Sequence, residues 1–473
     1  MPDDGHPAGR PETAGAGRAT RRARRVWIVN HYAGAPDQPT GTRHYALARA
    51  VVREGASATI FAAGFSHGIG TGVDRAGRRL ARTTRFGGVT FVWLWTFPYF
   101  GNTWRRMVNM ASFAVILVVA QATRRRPDVI MGSTVHPFAA LAAWFVARLR
   151  GARFFFEVRD LWPQTLVDLG AMRPSSPLAR ILWAIESFLV RRAEVVITVL
   201  PGMVDYLHGR GLPAGHVVYL PNGVDLVDEA AGNDGRLPAP DPAADRLIAD
   251  AAARRSAGTL VFGYLGAHGR VNRLDVVLEA FALARDRSAM PMALYLVGDG
   301  PEKTGLIELA GRLGLTDAVV FADPVAKLRV PDLLATVDVG VVHTTTTPVY
   351  RYGVSFNKLF DYMAARIPIA FATSTAYDPI EASGGGLTVR PDDPEALAEA
   401  FVRLAELSPE ERRAMGEAGR RFLEREHDLA RIGRRFAELA GVVDAGPADR
   451  SYTRDAPSGA RPAPARARSR RSG

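Results

Sequence analysis

Lys358 is the residue whose setting implies the most chemistry. In the run Val349-Tyr-Arg-Tyr-Gly-Val-Ser-Phe-Asn-Lys358, Tyr352, Gly353 and Ser355 read as a turn, and a helix opens at Asn357-Lys358. A helix N-terminus leaves backbone N–H groups unpaired at the positive end of the dipole, which suits a phosphate. Lys358 adds a mobile positive charge at that place. A second loop of this kind is Phe262-Gly-Tyr-Leu-Gly-Ala-His-Gly-Arg-Val-Asn272, after an apolar strand. Gly266 and Gly269 free its backbone to approach a diphosphate and feed a helix starting near Leu274. Leu296-Val-Gly-Asp-Gly-Pro301 closes another strand, and Gly298 and Gly300 fit a tight turn. Such a turn alone is weak evidence of binding; its place two elements after Gly266 makes it part of a pattern.

The first half of the chain carries a different set. Phe154-Phe-Phe-Glu-Val-Arg-Asp-Leu-Trp-Pro163 delivers Glu157, Arg159 and Asp160 at the end of an apolar strand. Charges there are costly unless paired or functional. A structural pair between Arg159 and a carboxylate and a catalytic role both remain open. His136, in Ser133-Thr-Val-His-Pro137, stands at a strand–helix junction, although a lone histidine is more often structural.

These residues need a scaffold, and the chain alternates strands with helices almost throughout. Strand runs include Val26–Asn30, Asp128–Gly132, Arg153–Val158, Leu260–Leu265, Ala293–Val297 and Val339–Val342, with helical patterns such as Thr42–Glu54 and Phe138–Arg150 between them. Uninterrupted apolar strands in such an alternation imply parallel sheets covered on both faces. The fold class is therefore α/β, with two Rossmann-like domains facing across a cleft at the carboxyl ends of their strands. We expect a basic tail over 1–25, a first domain over 26–226, a linker over 227–258 and a second domain over 259–425. Residues 426–444 supply a last helix, and 445–473 form an Arg/Pro-rich tail.

The formal charge of +12 sits mostly in the tails, which carry +3 and +5, so it is no argument for nucleic-acid binding. Both tails read as disordered. With 47% apolar and 23% charged residues the rest is globular, and the absence of cysteine excludes disulfides and thiolate metal sites. No secretory signal is visible, so a cytoplasmic address is expected. Met107–Ala120 is an apolar run between Arg105-Arg106 and Arg124–Arg126. At about 14 residues it is too short to span a bilayer. It reads as a helix packed on a sheet, or as one resting on the inner face of the plasma membrane.

Taken together, Asn357-Lys358-Leu-Phe-Asp361, the Gly266 loop and the string Glu157–Pro163 resemble retaining GT-B glycosyltransferases of family 4, in the fucosamine-transferase-like branch that builds capsule and O-antigen. The likeness covers roughly residues 26–443. It implies a fold whose last helix crosses back to the first domain. The family has two glutamates eight residues apart; here the second becomes Asp361, implied to hold the nucleotide ribose, and the first falls on Gly353. Many relatives neutralise the pyrophosphate with Arg and Lys where this chain has Ala267 and Asn272, so the cationic task passes to Lys358, with His268 and Asn272 as hydrogen-bond donors. In the loop Asn30–Thr42, relatives cover donor phosphate and acceptor, which makes Gly41 and Arg43 acceptor-side candidates beside Glu157 and Arg159. His136 resembles the histidine near the transferred sugar.

The resemblance implies metal-independent transfer of a sugar, from a UDP-linked donor, to a saccharide or polyprenyl-linked acceptor, with no cofactor. His136, Asp160 and Lys358 are the catalytic candidates; Gly266, His268, Asn272, Gly298, Gly300, Ser355, Asn357 and Asp361 would hold the donor. Two rivals are a sugar-nucleotide 2-epimerase of similar architecture and a binding protein that has lost its chemistry.

Overall fold

The computed structural model describes residues 23–36, 43–67, 72–99, 104–134, 136–226 and 241–444. Sixteen strands are present among them: β1 (Arg25–Val29), β2 (Ser57–Ala63), β3 (Phe65–His67), β4 (Gly72–Asp74), β5 (Ala81–Phe86), β6 (Val89–Leu94), β7 (Val129–Ser133), β8 (Arg153–Val158), β9 (Val195–Thr198) and β10 (Val217–Tyr219) in the first half, and β11 (Leu260–Leu265), β12 (Met292–Val297), β13 (Val319–Ala322), β14 (Val339–His343), β15 (Ile369–Ala372) and β16 (Gly386–Val389) in the second. The first half forms one sheet in the order β10-β9-β8-β7-β1-β2-β6-β5, and the second forms β13-β12-β11-β14-β15-β16. Register is parallel throughout the second sheet and in the first up to β6. Strands such as Val129–Ser133 and Met292–Val297 are buried along their whole length, as a sheet covered on both faces requires.

The expectation of purely parallel sheets fails at one edge. β5 (Ala-Arg-Thr-Thr-Arg-Phe) pairs antiparallel with β6, and its side chains are half exposed, so it lacked the apolar run that marks a buried strand. β3 and β4 form a further small antiparallel pair. The stretch 227–258, read as linker, contains the helix Pro242–Ser256, opened by Asp241, whose carboxylate accepts from the N–H groups of Ala243 and Ala244. Leu247 and Ala251 of that helix pack into the second domain's core. The apolar run at 107–120 belongs to a longer helix, Trp104–Ala120, continued by a 3-10 turn to Thr123. That 20-residue stretch is long and apolar enough to cross a membrane, but Phe113 and Leu117 are fully buried in the first domain's core, so it is a layer of that domain.

The two halves are tied together at specific points. The Gly202 N–H donates to the Tyr352 carbonyl (2.9 Å), the Asn222 amide to the Ser355 carbonyl (3.1 Å), and the Tyr377 hydroxyl to Asp205 (2.9 Å). Near the end of the described chain, His427 stacks on Phe360 (4.2 Å) and bonds the Asn222 carbonyl (2.8 Å), and a Cβ at Gly223 would lie 1.9 Å from the His427 carbonyl. From that crossing the helix Leu429–Leu439 returns to the first domain, burying Ile432 and Phe436 with Leu47 and Val51 of the helix Arg43–Arg53.

Candidate active site

The helix Asn357–Ala364 opens without a side-chain cap, and so do the helices Leu274–Arg287 and Pro137–Arg150. All three leave backbone donors at their N-termini, two in the second domain and one, at His136, in the first. Helices elsewhere, at Pro177, Pro394 and Pro409, are closed by Ser176, Asp393 and Ser408.

Lys358 reaches from its helix to the Gly266 loop. Its Nζ donates to the Tyr264 hydroxyl (3.0 Å) and to Asn272 Oδ1 (3.3 Å), and lies 4.2 Å from the centre of the Tyr264 ring. A Cβ at Gly266 would sit 3.1 Å from that Nζ, so the glycine lets the ammonium lie against the loop. Protein surrounds the ammonium, and this desolvation lowers its pKa to about 7. No carboxylate partners it among the described residues, which leaves a cation able to take an anionic ligand.

Asn272 also donates to the Ala267 carbonyl (2.9 Å) and so closes the loop on itself. The nearby arginines are committed elsewhere: Arg270 pairs with Glu302 (3.2 Å), and Arg273 with Asp275 (3.0 Å) and Asp392 (2.6 Å). Two glycine turns meet backbone to backbone. A Cβ at Gly298 would lie 1.8 Å from the Gly266 carbonyl, and one at Gly300 2.4 Å from the His268 carbonyl. We expect Gly298→Ala to cost about 1–3 kcal/mol by overpacking. Its signature would be a lowered unfolding midpoint together with weaker nucleotide binding, measured by calorimetry.

Neither ring nitrogen of His268 has a hydrogen-bond partner in the protein. It is fully buried between Tyr264 and Phe321, with ring centroids 6.2 and 6.3 Å away, under the glycine turns. Burial, with Lys303 nearby, lowers its pKa to about 4, so it is neutral, and its backbone rather than its ring ties the turn through Asp299 (2.9 Å). Asp361 accepts from Lys327 Nζ at 2.6 Å on both oxygens, so a ribose would have to share the carboxylate with that lysine. Ser355 has a buried hydroxyl with no hydrogen-bond partner, and Asn357 is exposed at the helix mouth. Gly353 has no room for a side chain: its φ is 109° and a Cβ would lie 2.5 Å from the Pro201 ring. The position that carries a carboxylate in the resemblance is here an interdomain contact.

In the first domain, Glu157 is completely buried and its oxygens accept from Arg43 Nε (2.9 Å) and meet His44 Nε2 (2.7 Å). Arg43 also donates to the carbonyls of Leu220 (2.8 Å) and Pro221. Both acceptor-side assignments are therefore corrected: Arg43 and Glu157 form a buried brace between the helix Arg43–Arg53, β8 and the chain after β10. Of the two readings left open for Arg159, an ion pair with a carboxylate does not form among the described residues. That side chain's Nε is buried without a hydrogen-bond partner, and only its backbone N–H is used, on Thr134 Oγ1 (3.0 Å). Asp160 is exposed as a residue, while desolvation of its carboxyl raises the pKa, with Arg159 opposing. Gly41 lies outside the described residues.

His136 lies in a cluster that sequence patterns did not reveal. Its ring meets His31 at 4.8 Å and Tyr32 at 6.3 Å, and His31 packs on Phe113 (4.7 Å). Burial, then Arg106, lowers His136 to about 3, and neither of its ring nitrogens has a hydrogen-bond partner. His31 is likewise held well below its usual value by burial and by His136. Two neutral imidazoles stand at the ends of β1 and β7: His31 interacts with the Asn109 side chain, while His136, with both ring nitrogens unpaired, is costly for folding and suited to receiving a hydroxyl group. The Asn30-His31 step, at the end of an apolar strand, was the available signal. Among the described residues, no three His, Cys, Asp or Glu side chains converge as a metal set.

Comparison with known proteins places this geometry. A glycosyl transferase 4-like domain matches residues 40–223, and glycosyl transferases group 1 matches 259–406. The probable glycosyltransferase WbjE of Pseudomonas aeruginosa is 24% identical over 290 residues, 60% of this chain and 67% of that one. The 2-deoxystreptamine N-acetyl-D-glucosaminyltransferase of Streptomyces fradiae is 28% identical over 50% of this chain and 54% of its own. The chain thus spans about two thirds and about half of these relatives. Among solved structures, sucrose-phosphate synthase of Thermosynechococcus elongatus aligns with a TM-score of 0.67 at 17% identity, over 88% of this chain and 98% of that one. Anabaena HepE in complex with UDP and glucose aligns at 0.62 and 15%, over 89% and 100%. At these identities the structural likeness speaks for the fold alone.

Proposed function

The chain belongs to the glycosyltransferases of GT-B fold, and from that premise we propose that its cleft moves a sugar from a nucleoside diphosphate to an acceptor hydroxyl with retention of configuration. Lys358 carries this reading: a desolvated, carboxylate-free ammonium at an uncapped helix mouth, held against a glycine loop. A diphosphate leaving group gathers negative charge as the glycosidic bond breaks, and fixed N–H donors with one ammonium stabilise it without reorganisation. The acceptor hydroxyl then adds to the face the diphosphate leaves, and its proton passes to the departing phosphate oxygen. Asp160, exposed and with its pKa raised, is the alternative base. His136, neutral throughout the physiological range, would accept or donate a hydrogen bond at a sugar hydroxyl. A UDP-linked donor fits, since HepE of the same fold is solved with UDP. The string Glu157–Pro163 favours a cell-surface polysaccharide or glycoconjugate as the product class, made in the cytoplasm.

The test is hydrolysis and transfer by the purified chain, screened over nucleoside diphosphate sugars with and without EDTA. We expect turnover of one donor that EDTA leaves intact. His136→Gln should lower that turnover by about 100-fold with nucleotide affinity unchanged, the mark of a group acting on the sugar rather than the diphosphate. Binding without turnover, with lipid-linked acceptors supplied, would instead support the non-catalytic rival.

A further inference from the structure

We propose that three neighbouring helices of the first domain, Trp104–Ala120, Pro137–Arg150 and Pro177–Arg192, form a face that docks on an anionic lipid surface. They lie side by side over one face of the first sheet, and Trp144 of the second meets Phe188 of the third at 4.6 Å. Their inner stripes are core. Their outer stripes carry eight of the twelve exposed large apolar side chains among the described residues.

The pattern is clearest on the first helix. Trp104, Met107, Ala111, Val115 and Val119 are exposed at helical spacing and make one outward stripe, apolar from end to end. Phe145 and Leu149 continue it on the second helix, and Ile181 on the third. A soluble surface helix would be polar there, and a contiguous patch of this kind marks an interaction surface.

Charge selects the occupant. Across residues 104–126, 137–150 and 177–192 there are ten arginines and one acid, Glu186. That acid is buried, its oxygens accepting from the Tyr206 hydroxyl at 2.9 Å, so the face presents no carboxylate to solvent. Arg105 stands at one end of the apolar stripe and Arg125 and Arg126 at the other, all exposed. An apolar stripe edged by arginines with no exposed acid is the arrangement that lies in the headgroup layer of an anionic membrane. The buried stripe through Phe113 and Leu117 keeps the first helix in the domain, so it rests on the bilayer rather than crossing it.

The placement also bears on function. Arg106 acts electrostatically on both His31 and His136, so the N-terminal end of the first helix adjoins the cluster to which the proposed function gives the transferred sugar. An acceptor anchored in the same membrane would meet the cleft there. The docking itself does not depend on that reading, and nucleotide affinity reports on the two separately.

The experiment is co-sedimentation of the full-length chain with vesicles of phosphatidylcholine alone or with phosphatidylglycerol added. Binding should be at least about tenfold tighter with the anionic lipid and weaken in high salt. The triple substitution Met107→Glu, Val115→Glu, Val119→Glu should lower it by about tenfold or more, with nucleotide affinity unchanged. The basic tails could hold the chain to vesicles by themselves, so a second readout is needed: Trp104 lies on the face, whereas the tails contain no tryptophan. Lipids with a bromine or nitroxide quencher in the acyl chain should quench fluorescence in the wild type and much less in Trp104→Phe. Equal binding by the triple variant, or adsorption without Trp104 quenching, overturns the proposal. A dimer in light scattering that the triple variant abolishes, with no lipid dependence, would assign the face to a second copy of this chain.

Discussion

Lys358→Ala is expected to lower donor turnover by roughly 10²–10³-fold, the usual loss when one donor to a developing oxyanion is removed. Affinity for the nucleoside diphosphate product should fall by roughly 10–100-fold, as for a lost charged hydrogen bond. The fold should survive, since among the described residues the Lys358 ammonium hydrogen-bonds only Tyr264 and Asn272. Arginine is not expected to restore activity, because the ammonium lies where a Cβ at Gly266 would be only 3.1 Å away and a planar guanidinium is larger.

The pH dependence tests the same group independently. Burial lowers free Lys358 to about 7, and a bound diphosphate must raise it, because an anion favours the charged form. Binding above pH 7 therefore takes up a proton. Affinity should be level below about 7 and fall as pH rises from there toward the raised value in the complex. Calorimetry in buffers of different ionisation enthalpy would detect the proton uptake, and Lys358→Ala should abolish it. A wild type whose affinity is flat from pH 6 to 9 would remove Lys358 from the diphosphate site.

Glu157→Ala should have the largest effect on stability. Removing one partner of a buried ion pair leaves the other charged and unsolvated, which costs about 3–5 kcal/mol. Arg43 would keep its bonds to the Leu220 and Pro221 carbonyls but lose its carboxylate partner, Glu157. Urea unfolding should show a lower midpoint. A shift no larger than that of a surface substitution would mean that water reaches the brace.

Acid should act on the same place. Burial alone would raise the Glu157 carboxyl, but His44 and Arg43 override it and hold it well below the usual carboxylate range. A depressed carboxylate adds stability that is fully present above its unfolded value, near 4.3, and is lost as pH falls through the folded one. Burial lowers His44 against the pull of Glu157, so its share is present above about 6.5 and fades on acidification from there. Both run in one direction. Stability should decline from about pH 6.5 downward, more steeply below about 4.3, and Glu157→Ala should remove the steeper part.

Much of the scaffold was legible because its rules are local. Continuous apolar runs marked the buried strands, and helix boundaries followed capping residues and prolines, as at Ser408-Pro409, where both halves of a capping box form. The Gly266 loop and the Lys358 helix could be read as anion-binding for the same reason: a glycine or a helix start constrains its own backbone whatever lies around it. Elements that are neither buried nor periodic escaped. β5 is a half-exposed edge, and the apolar residues of the helix Pro242–Ser256 are alanines apart from Leu247 and Ile248.

Residue types and their spacing carried the α/β alternation, the two glycine turns and a cation at a helix mouth. Which charges are spent on each other followed from the packing of the chain. Glu157 meets Arg43 from 114 residues away, so that two site candidates became one structural brace. Asp361 meets Lys327, and Gly353 is filled by Pro201 of the other domain. His31 and His136 come together from separate strand ends and stay neutral. An ion pair or a desolvated ring depends on what the fold brings within a few ångströms, and charge energies vary so steeply with distance and burial that residue type and spacing along the chain cannot supply them.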